Sequence, residues 1–164
     1  MRSIRITISF LFLFAFTATI FAQTKIESVL RKYKNDDHVM ALMYSGDKLQ
    51  SFIQQNKSIK SKLSFVDIVV FKENSDISKK DKSKLTELLQ KDGFEMLVNV
   101  KSPEGKAVVQ GIGDLNTLKK VYVQAQGEGM SVYAILEGDV ILSEIAAIAS
   151  TVDIKELNAL KMIK

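Results

Sequence analysis

The only histidine of this chain, His38, follows directly after Asp36 and Asp37. An imidazole and two carboxylates are ligand types that divalent metal ions accept in proteins. Adjacent residues rarely turn their side chains toward one ion, however, and a helix terminus rich in polar groups is the favoured interpretation. We therefore expect no metal site, and a single histidine leaves little material for a histidine-bridged catalytic triad.

Ser45 and Lys48 have the Ser-x-x-Lys spacing in which a lysine activates a serine nucleophile at the start of a helix. The companion motifs Ser-Asp-Asn and Lys-Thr-Gly of such enzymes are absent from the chain. A serine at a strand-to-helix junction is also a common helix cap. We expect the cap, and we assign no catalytic residue.

Two further patterns are weaker. Gly111-Ile112-Gly113 lacks the third glycine and the following helix of a phosphate-binding loop, so it predicts the end of a strand. Glu73, Asp76 and Asp81 do not have the spacing of a calcium loop and are expected to be solvated loop residues. The sequence thus predicts no cofactor.

The first 22 residues have the pattern of a secretory signal peptide. Arg2 and Arg5 precede an apolar run from Ile6 to Phe21, and Ala22 comes before a polar segment. Cleavage is expected after Ala22, and a retained membrane anchor is the less favoured alternative because Ser and Thr interrupt the short run. We therefore expect a periplasmic or secreted protein with no stable membrane anchor after cleavage.

Charge and cysteine content narrow the function classes. The chain has 23 basic and 19 acidic residues, and loss of Arg2 and Arg5 leaves 21 against 19, so we expect no nucleic-acid partner. The lysine-dense stretches 57–62 and 79–84 are expected to be solvated, although either could touch an anionic surface. Because the chain has no cysteine, disulfides, thiolate metal sites and a lipidated cysteine are excluded.

Helical periodicity dominates the first half of the predicted mature chain, residues 23–164. Helices are expected over residues 24–35 and around Leu49, Phe52 and Ile53. Between them and a third helix, residues 65–71 form a strand rich in β-branched and aromatic residues. Ser78 with Asp81 predicts the cap of the third helix, and Asp92-Gly93 predicts its end.

From Phe94 onward the residues alternate between two sets, as they do in a strand whose two faces differ. Phe94, Met96, Val98 and Val100 are expected on one sheet face, and three more strands follow at 107–112, 118–126 and 130–137. Gly138-Asp139 is expected to open a helix, and Asp153 with Glu156 to cap a final short one. The predicted fold is one α+β domain in which helices pack against a largely antiparallel meander sheet of four or five strands.

The second face of this predicted sheet is more apolar than a solvated face should be. Its apolar and aromatic residues are Leu97, Val108, Ile112, Tyr122, Tyr133 and Ile135. Two interpretations stay open. Either an early helix covers the face, or the face binds a protein partner or a second copy of the chain, with the two tyrosines as contact residues.

The order of elements resembles the DUF4252 family of exported Bacteroidetes proteins. The resemblance covers roughly residues 26–149 and depends on hydrophobic positions, including the strand 65–71 and the segment 133–140 with its Gly138-Asp139 step. It implies a small α+β domain in a Gram-negative envelope. The family has no assigned activity, so the resemblance implies no catalytic residues; unlike relatives that look like lipoproteins, this chain should be soluble after cleavage.

The leading functional hypothesis is a non-catalytic exported envelope protein that acts as a protein-interaction module. The alternative is a periplasmic protein that binds a small molecule or lipid between helices and sheet. A hydrolase using Ser45 and Lys48 is the least favoured hypothesis.

Overall fold

The computed structural model describes residues 25–55, 59–103, 105–114 and 117–151. The predicted signal peptide and the final helix predicted near Asp153 lie outside these residues. No helix within the described ranges is long and apolar enough to cross a membrane. The elements follow in the order α1 Lys25–Arg31, β1 Val39–Ser45, α2 Gly46–Gln55, β2 Lys62–Phe71, α3 Lys79–Lys91, β3 Glu95–Ser102, β4 Gly105–Gly113, β5 Leu118–Gly127, β6 Met130–Val140, a 3₁₀ turn Leu142–Glu144 and α4 Ile145–Thr151.

The strands form one antiparallel sheet in the order β1-β2-β6-β5-β4-β3. The α+β class and the antiparallel sheet are confirmed, but the predicted four or five strands are six. The additional strand is β1, which pairs along its whole length with β2, from Val39 opposite Phe71 to Ser45 opposite Phe65. Seven residues directly before a helix give too short a pattern for the sequence to separate a strand from a buried turn.

Both faces of the central strands are apolar. On β2, Val66, Ile68 and Val70 point to the side where α2 and α4 pack, and Val69 and Phe71 point to the side of α1 and α3. We call these sides the α2/α4 face and the α1/α3 face. A strand buried on both sides needs a nearly continuous apolar run, which explains why residues 65–71 alternate so little.

A β-bulge in β3 breaks the alternation that the sequence predicts. Met96 lies opposite Gln110 and Val98 lies opposite Val109, so Leu97 is the extra residue. Leu97 and Val98 consequently both pack on the α2/α4 face. The prediction that Met96 and Val98 share a face is wrong, because one inserted residue exchanges the faces of everything on one side of it.

The Gly138-Asp139 step does not open a helix but lies inside β6. Gly138 pairs with Leu63 at an irregularity in β2 and has a φ of 127°, in a region that other residues rarely adopt. A Cβ at this position would overlap the carbonyl oxygen of Lys62. The glycine therefore permits close approach of two strands, and the helix begins only at Ile145.

The predicted ends of the third helix are confirmed. The Ser78 hydroxyl accepts a hydrogen bond from the Asp81 amide at 3.1 Å and so caps α3. Gly93 follows the helix with a φ of 79°. The chain thereby turns from α3 into β3 as the sequence indicates.

We expect Gly138→Ala to lower the free energy of unfolding by more than about 3 kcal/mol, because it adds backbone strain to an overlap with the neighbouring strand. Gly46→Ala is the matched control. Gly46 also has a positive φ, 55°, but no atom lies within 4 Å of an added Cβ, so about 1 kcal/mol is expected. Urea unfolding followed by circular dichroism measures both, and equal losses would contradict the steric explanation.

Candidate functional site

Three of the six residues predicted to form an interaction face belong to the core. Tyr122, Tyr133 and Ile135 are 2%, 0% and 1% exposed. They pack beneath α1 and α3 in one cluster with apolar side chains of both helices: Ile26, Val29, Leu30, Leu85, Leu88 and Leu89. For this part of the sheet, coverage by an early helix is the arrangement found, and a partner has no access to the two tyrosines.

The other three predicted residues do not share one surface. Leu97 packs on the α2/α4 face because of the bulge. Ile112 is half-buried against the cluster beneath α1 and α3. Val108 is half-buried on the same strand as Ile112, between Asn99 of β3 and Gln124 of β5 on the α1/α3 face. The six residues therefore include only one, Val108, on an accessible part of that face.

The covered face contains a network of tyrosines and carboxylates. The Tyr133 hydroxyl donates to Asp76 Oδ1 at 2.5 Å, the Ile77 amide donates to the same oxygen at 2.8 Å, and the Lys82 ammonium pairs with Oδ2. Burial raises the pKa of Asp76, but the hydrogen bonds from Lys82 and Tyr133 outweigh it and hold the pKa below its ordinary value. Asp76 is thus ionised and joins the loop after β2 to β6.

A second carboxylate fixes α1 to α3. Asp81 accepts hydrogen bonds from Lys32 Nζ and from the Tyr33 hydroxyl, each at 2.7 Å. These two bonds, with a further one from Ser78, lower the pKa of Asp81 to about 2 although burial opposes the shift. The Tyr33 hydroxyl also accepts a hydrogen bond from the Ser78 backbone amide at 3.0 Å. The cap of α3 and the end of α1 are therefore parts of one hydrogen-bonded unit.

Two further lysines form ion pairs around α1. Lys34 Nζ contacts both oxygens of Asp67, at 2.6 and 2.7 Å, and Asp67 is only 1% exposed on β2. Lys120 of β5 pairs with Glu137 of β6 at 2.5 Å and approaches Glu27 of α1 at 3.8 Å. Charged groups at the margins of the buried face are thereby paired, as burial requires.

The network is suited to holding helices rather than to acid–base chemistry. Burial raises the pKa of Tyr122, and burial together with Asp76 raises the pKa of Tyr133, so both phenols stay protonated. A general base needs a pKa near the working pH. The expectation that Asp76 and Asp81 are solvated loop residues is wrong, because both accept hydrogen bonds from other elements. The capping pattern at Ser78 is the sequence signal for a structural role of Asp81.

The residues singled out for catalysis are exposed. His38 Nδ1 lies 3.0 Å from Glu73 Oε2, and its backbone amide donates to Asp36 Oδ1 at 3.3 Å. Ser45 ends β1 and Lys48 lies in the first turn of α2, so the Ser-x-x-Lys motif spans the junction of a strand and a helix. Within the described ranges, no three His, Asp or Glu residues are grouped to hold a metal ion.

An accessible polar surface lies where α1 and α3 leave the α1/α3 face uncovered. Lys101 of β3 and Lys106 of β4 are directly opposite each other, and Gln126 of β5 completes the row. A second row lies next to it on the same three strands and consists of Asn99, Val108 and Gln124. We call the residues of both rows the open sheet patch: Asn99, Lys101, Lys106, Val108, Gln124 and Gln126.

A small polar cleft adjoins this patch. The loop after β2 contacts the β5–β6 turn, where the Asn74 amide donates to the Gly129 carbonyl at 2.7 Å. The cleft has a volume of about 120 Å³ and is continuous with the patch through Gln126. Its lining consists of Asn74, Ser75 and residues 126–131.

Comparisons of the chain with protein-family models, with curated proteins and with solved structures find no match. The resemblance to the DUF4252 family stays a prediction.

We expect Tyr133→Phe to lower the free energy of unfolding by about 1 to 2 kcal/mol, because Asp76 loses a buried hydrogen-bond donor. Tyr122→Phe is the control. Tyr122 is buried in the same cluster, but the recorded hydrogen bonds to Asp76 come from Tyr133, Ile77 and Lys82 and not from Tyr122. Chemical unfolding measures both variants; a larger loss in Tyr122→Phe would contradict this account.

Stability should depend on pH through Asp81. Its pKa is lowered on folding from 3.8 to about 2. Its contribution to the free energy of unfolding is therefore present above pH 4 and is lost as the pH falls toward 2. We expect the free energy of unfolding to decline over this window, and to decline less steeply in Asp81→Asn. Urea unfolding between pH 7 and pH 2 measures the slopes, and equal slopes for the two proteins would exclude Asp81 as a cause.

Proposed function

We propose that this protein is a non-catalytic, exported envelope module that binds an acidic segment of a protein partner through the open sheet patch. The observation that carries the proposal is the pair Lys101 and Lys106. Both side chains are exposed, they face each other across β3 and β4, and neither has an acidic partner among the described residues. Two other lysines of the sheet, Lys119 and Lys120, are paired with Asp139 and Glu137.

The electrostatics of the patch favour a carboxylate ligand. Directly opposite residues of an antiparallel pair have Cβ atoms about 5 Å apart, and like charges at that separation destabilise the sheet. A carboxylate placed between the two ammonium groups replaces this repulsion with two charge-assisted hydrogen bonds. The attraction is local, since the predicted mature chain has only two more basic than acidic residues.

The neighbouring side chains supply directional contacts. Asn99, Gln124 and Gln126 each carry an amide that both donates and accepts hydrogen bonds, and Val108 adds a small apolar surface among them. All stand on paired strands of the sheet, so little backbone conformational entropy is lost on binding. The patch thus combines charge, hydrogen bonding and a rigid base.

The cleft beside the open sheet patch gives small-molecule or lipid binding little support. The cleft of about 120 Å³ is below the roughly 300 to 1,000 Å³ of typical ligand pockets, and polar residues dominate its lining. It can accept a side chain of a bound peptide but is too small for an acyl chain.

Lys101→Gln combined with Lys106→Gln should weaken binding of a fluorescently labelled polyglutamate peptide about tenfold or more while leaving stability equal or higher, because the repulsion is removed. Lys79→Gln with Lys80→Gln, two exposed lysines at the start of α3, is the control with the same charge change. Fluorescence anisotropy over a salt series measures the affinities.

Equal weakening by both double variants would attribute the attraction to net charge and would contradict the proposal, as would the absence of peptide binding by the unmodified protein. Vesicles of phosphatidylglycerol are tested alongside. Stronger binding to vesicles than to peptide would identify a lipid surface as the partner and would overturn the assignment of an acidic protein segment.

A further inference from the structure

The two edges of the sheet differ in how they are protected against pairing with another chain. At the β3 edge, the bulge at Leu97 interrupts the ladder, and the strand carries Glu95 and Lys101. The β1 edge, residues 39–45, has no charged residue and no proline, and its register with β2 is unbroken. Bulges and charges are the usual means by which natural sheets prevent edge pairing, and β1 lacks them.

The hydrogen-bond pattern defines which groups of β1 face outward. The Lys72 amide donates to the His38 carbonyl at 3.0 Å, and these residues are opposite each other in the register that continues along β1 and β2. Hydrogen-bonded pairs alternate along an antiparallel ladder, so Met40, Leu42 and Tyr44 bond to β2. The residues between them point their backbone groups away from the sheet: Val39, Ala41, Met43 and Ser45.

The outer side of β1 carries a hydrogen bond at its start, from the Val39 amide to the Asp36 carbonyl at 3.0 Å. β1 is the terminal strand of the sheet order, and no other described strand lies beside it. Met43 is 63% exposed, a high value for a large apolar side chain. Met40 and Leu42 are half-buried on the α2/α4 face and can bury more surface.

We infer that β1 is a self-association edge, at which two copies of this chain pair β1 with β1 in antiparallel orientation and join their sheets. A two-fold axis at Leu42 places Ala41 opposite Met43 of the second copy, and Val39 opposite Ser45. In this register outward-facing residues meet outward-facing residues, and the two Ala41–Met43 pairs supply the central hydrogen bonds, because the Val39 amide already donates to the Asp36 carbonyl at 3.0 Å. A shift by one residue would place outward-facing backbone groups opposite backbone groups that are already bonded to β2. The shifted register is therefore excluded.

The side-chain pairs across the axis also fit a second copy. On the α2/α4 face, Leu42 meets Leu42 of the second copy, and Met40 meets Tyr44, so apolar side chains extend the apolar face across the junction. An uncharged strand neither repels its own copy nor offers a charge that would select an unlike partner. The contact is isologous, so it closes after two copies. The inference does not depend on the acidic partner proposed above.

The two exposed methionines provide matched variants, because Met43 lies on one edge strand and Met96, 55% exposed, on the other. Sedimentation equilibrium of the purified protein over a concentration series should show a reversible dimer. Met43→Lys places a charge in the contact and should raise the dissociation constant about tenfold or more, whereas Met96→Lys should leave it unchanged. A monomer at every concentration, or equal effects of the two variants, would overturn the inference.

The absence of cysteine from the chain permits a direct test of register. Leu42→Cys places two thiols opposite each other at a pair without mutual hydrogen bonds, where the Cα separation of about 4.5 Å is compatible with a disulfide. Met40→Cys is the control, since its two thiols would lie about 13 Å apart along the strands. Mild oxidation should crosslink the first variant and not the second; crosslinking of both, or of the control alone, would refute the proposed register.

Discussion

The pairing of β2 with β6 is the contact on which the rest of this structure depends. The two strands are far apart in the chain, so their pairing closes a long loop that contains α3 and the whole meander β3–β5. The entropy lost in closing such a loop rises only slowly with its length, and burial of both faces of two apolar strands offsets it. Once β6 lies beside β2, the strands β1 and β3 are necessarily the two edges of the sheet.

A sheet with two apolar faces requires cover on both sides, and this requirement accounts for the tyrosine–carboxylate network. α1 and α3 cover the centre of one face, where the ring of Phe71 makes edge-to-face contacts with Tyr33 and Tyr133 at centroid distances of 5.4 and 5.7 Å. Burying a hydroxyl without a partner costs about 1 to 3 kcal/mol. Asp81 and Asp76 accept the hydrogen bonds of these two tyrosines, so the aromatic rings are buried without that cost.

The cover is limited to the centre of the sheet, which leaves two surfaces of different chemistry. The open sheet patch near the β3 edge carries two opposed lysines and amide side chains, whereas the β1 edge is uncharged and offers backbone hydrogen-bonding groups. In the strand order, β2, β6 and β5 separate β1 from β4. Strands are about 4.8 Å apart, so a ligand on one surface and a second copy on the other would not compete for space.

The elements follow largely from the sequence, because their signals are local. Helical spacing around Val29 and Leu85, the cap at Ser78 and the β-branched run at 65–71 each depend on neighbouring residues, and the structure contains the corresponding helices and strand. The predictions that fail are those that depend on contacts between distant segments. The bulge at Leu97 and the place of Gly138 inside β6 depend on how a second strand lies against the first, and a single segment does not carry that information.

The same division holds for the candidate site. The sequence by itself determined that Tyr122 and Tyr133 share a sheet face and that this face is unusually apolar. Only the tertiary structure decided that α1 and α3 cover them, that Asp76 accepts a hydrogen bond from Tyr133, and that Lys101 and Lys106 remain exposed elsewhere on the same face. The physical reason is that an alternating pattern determines which side chains point the same way, whereas burial depends on which distant element reaches that side first and leaves the rest to solvent.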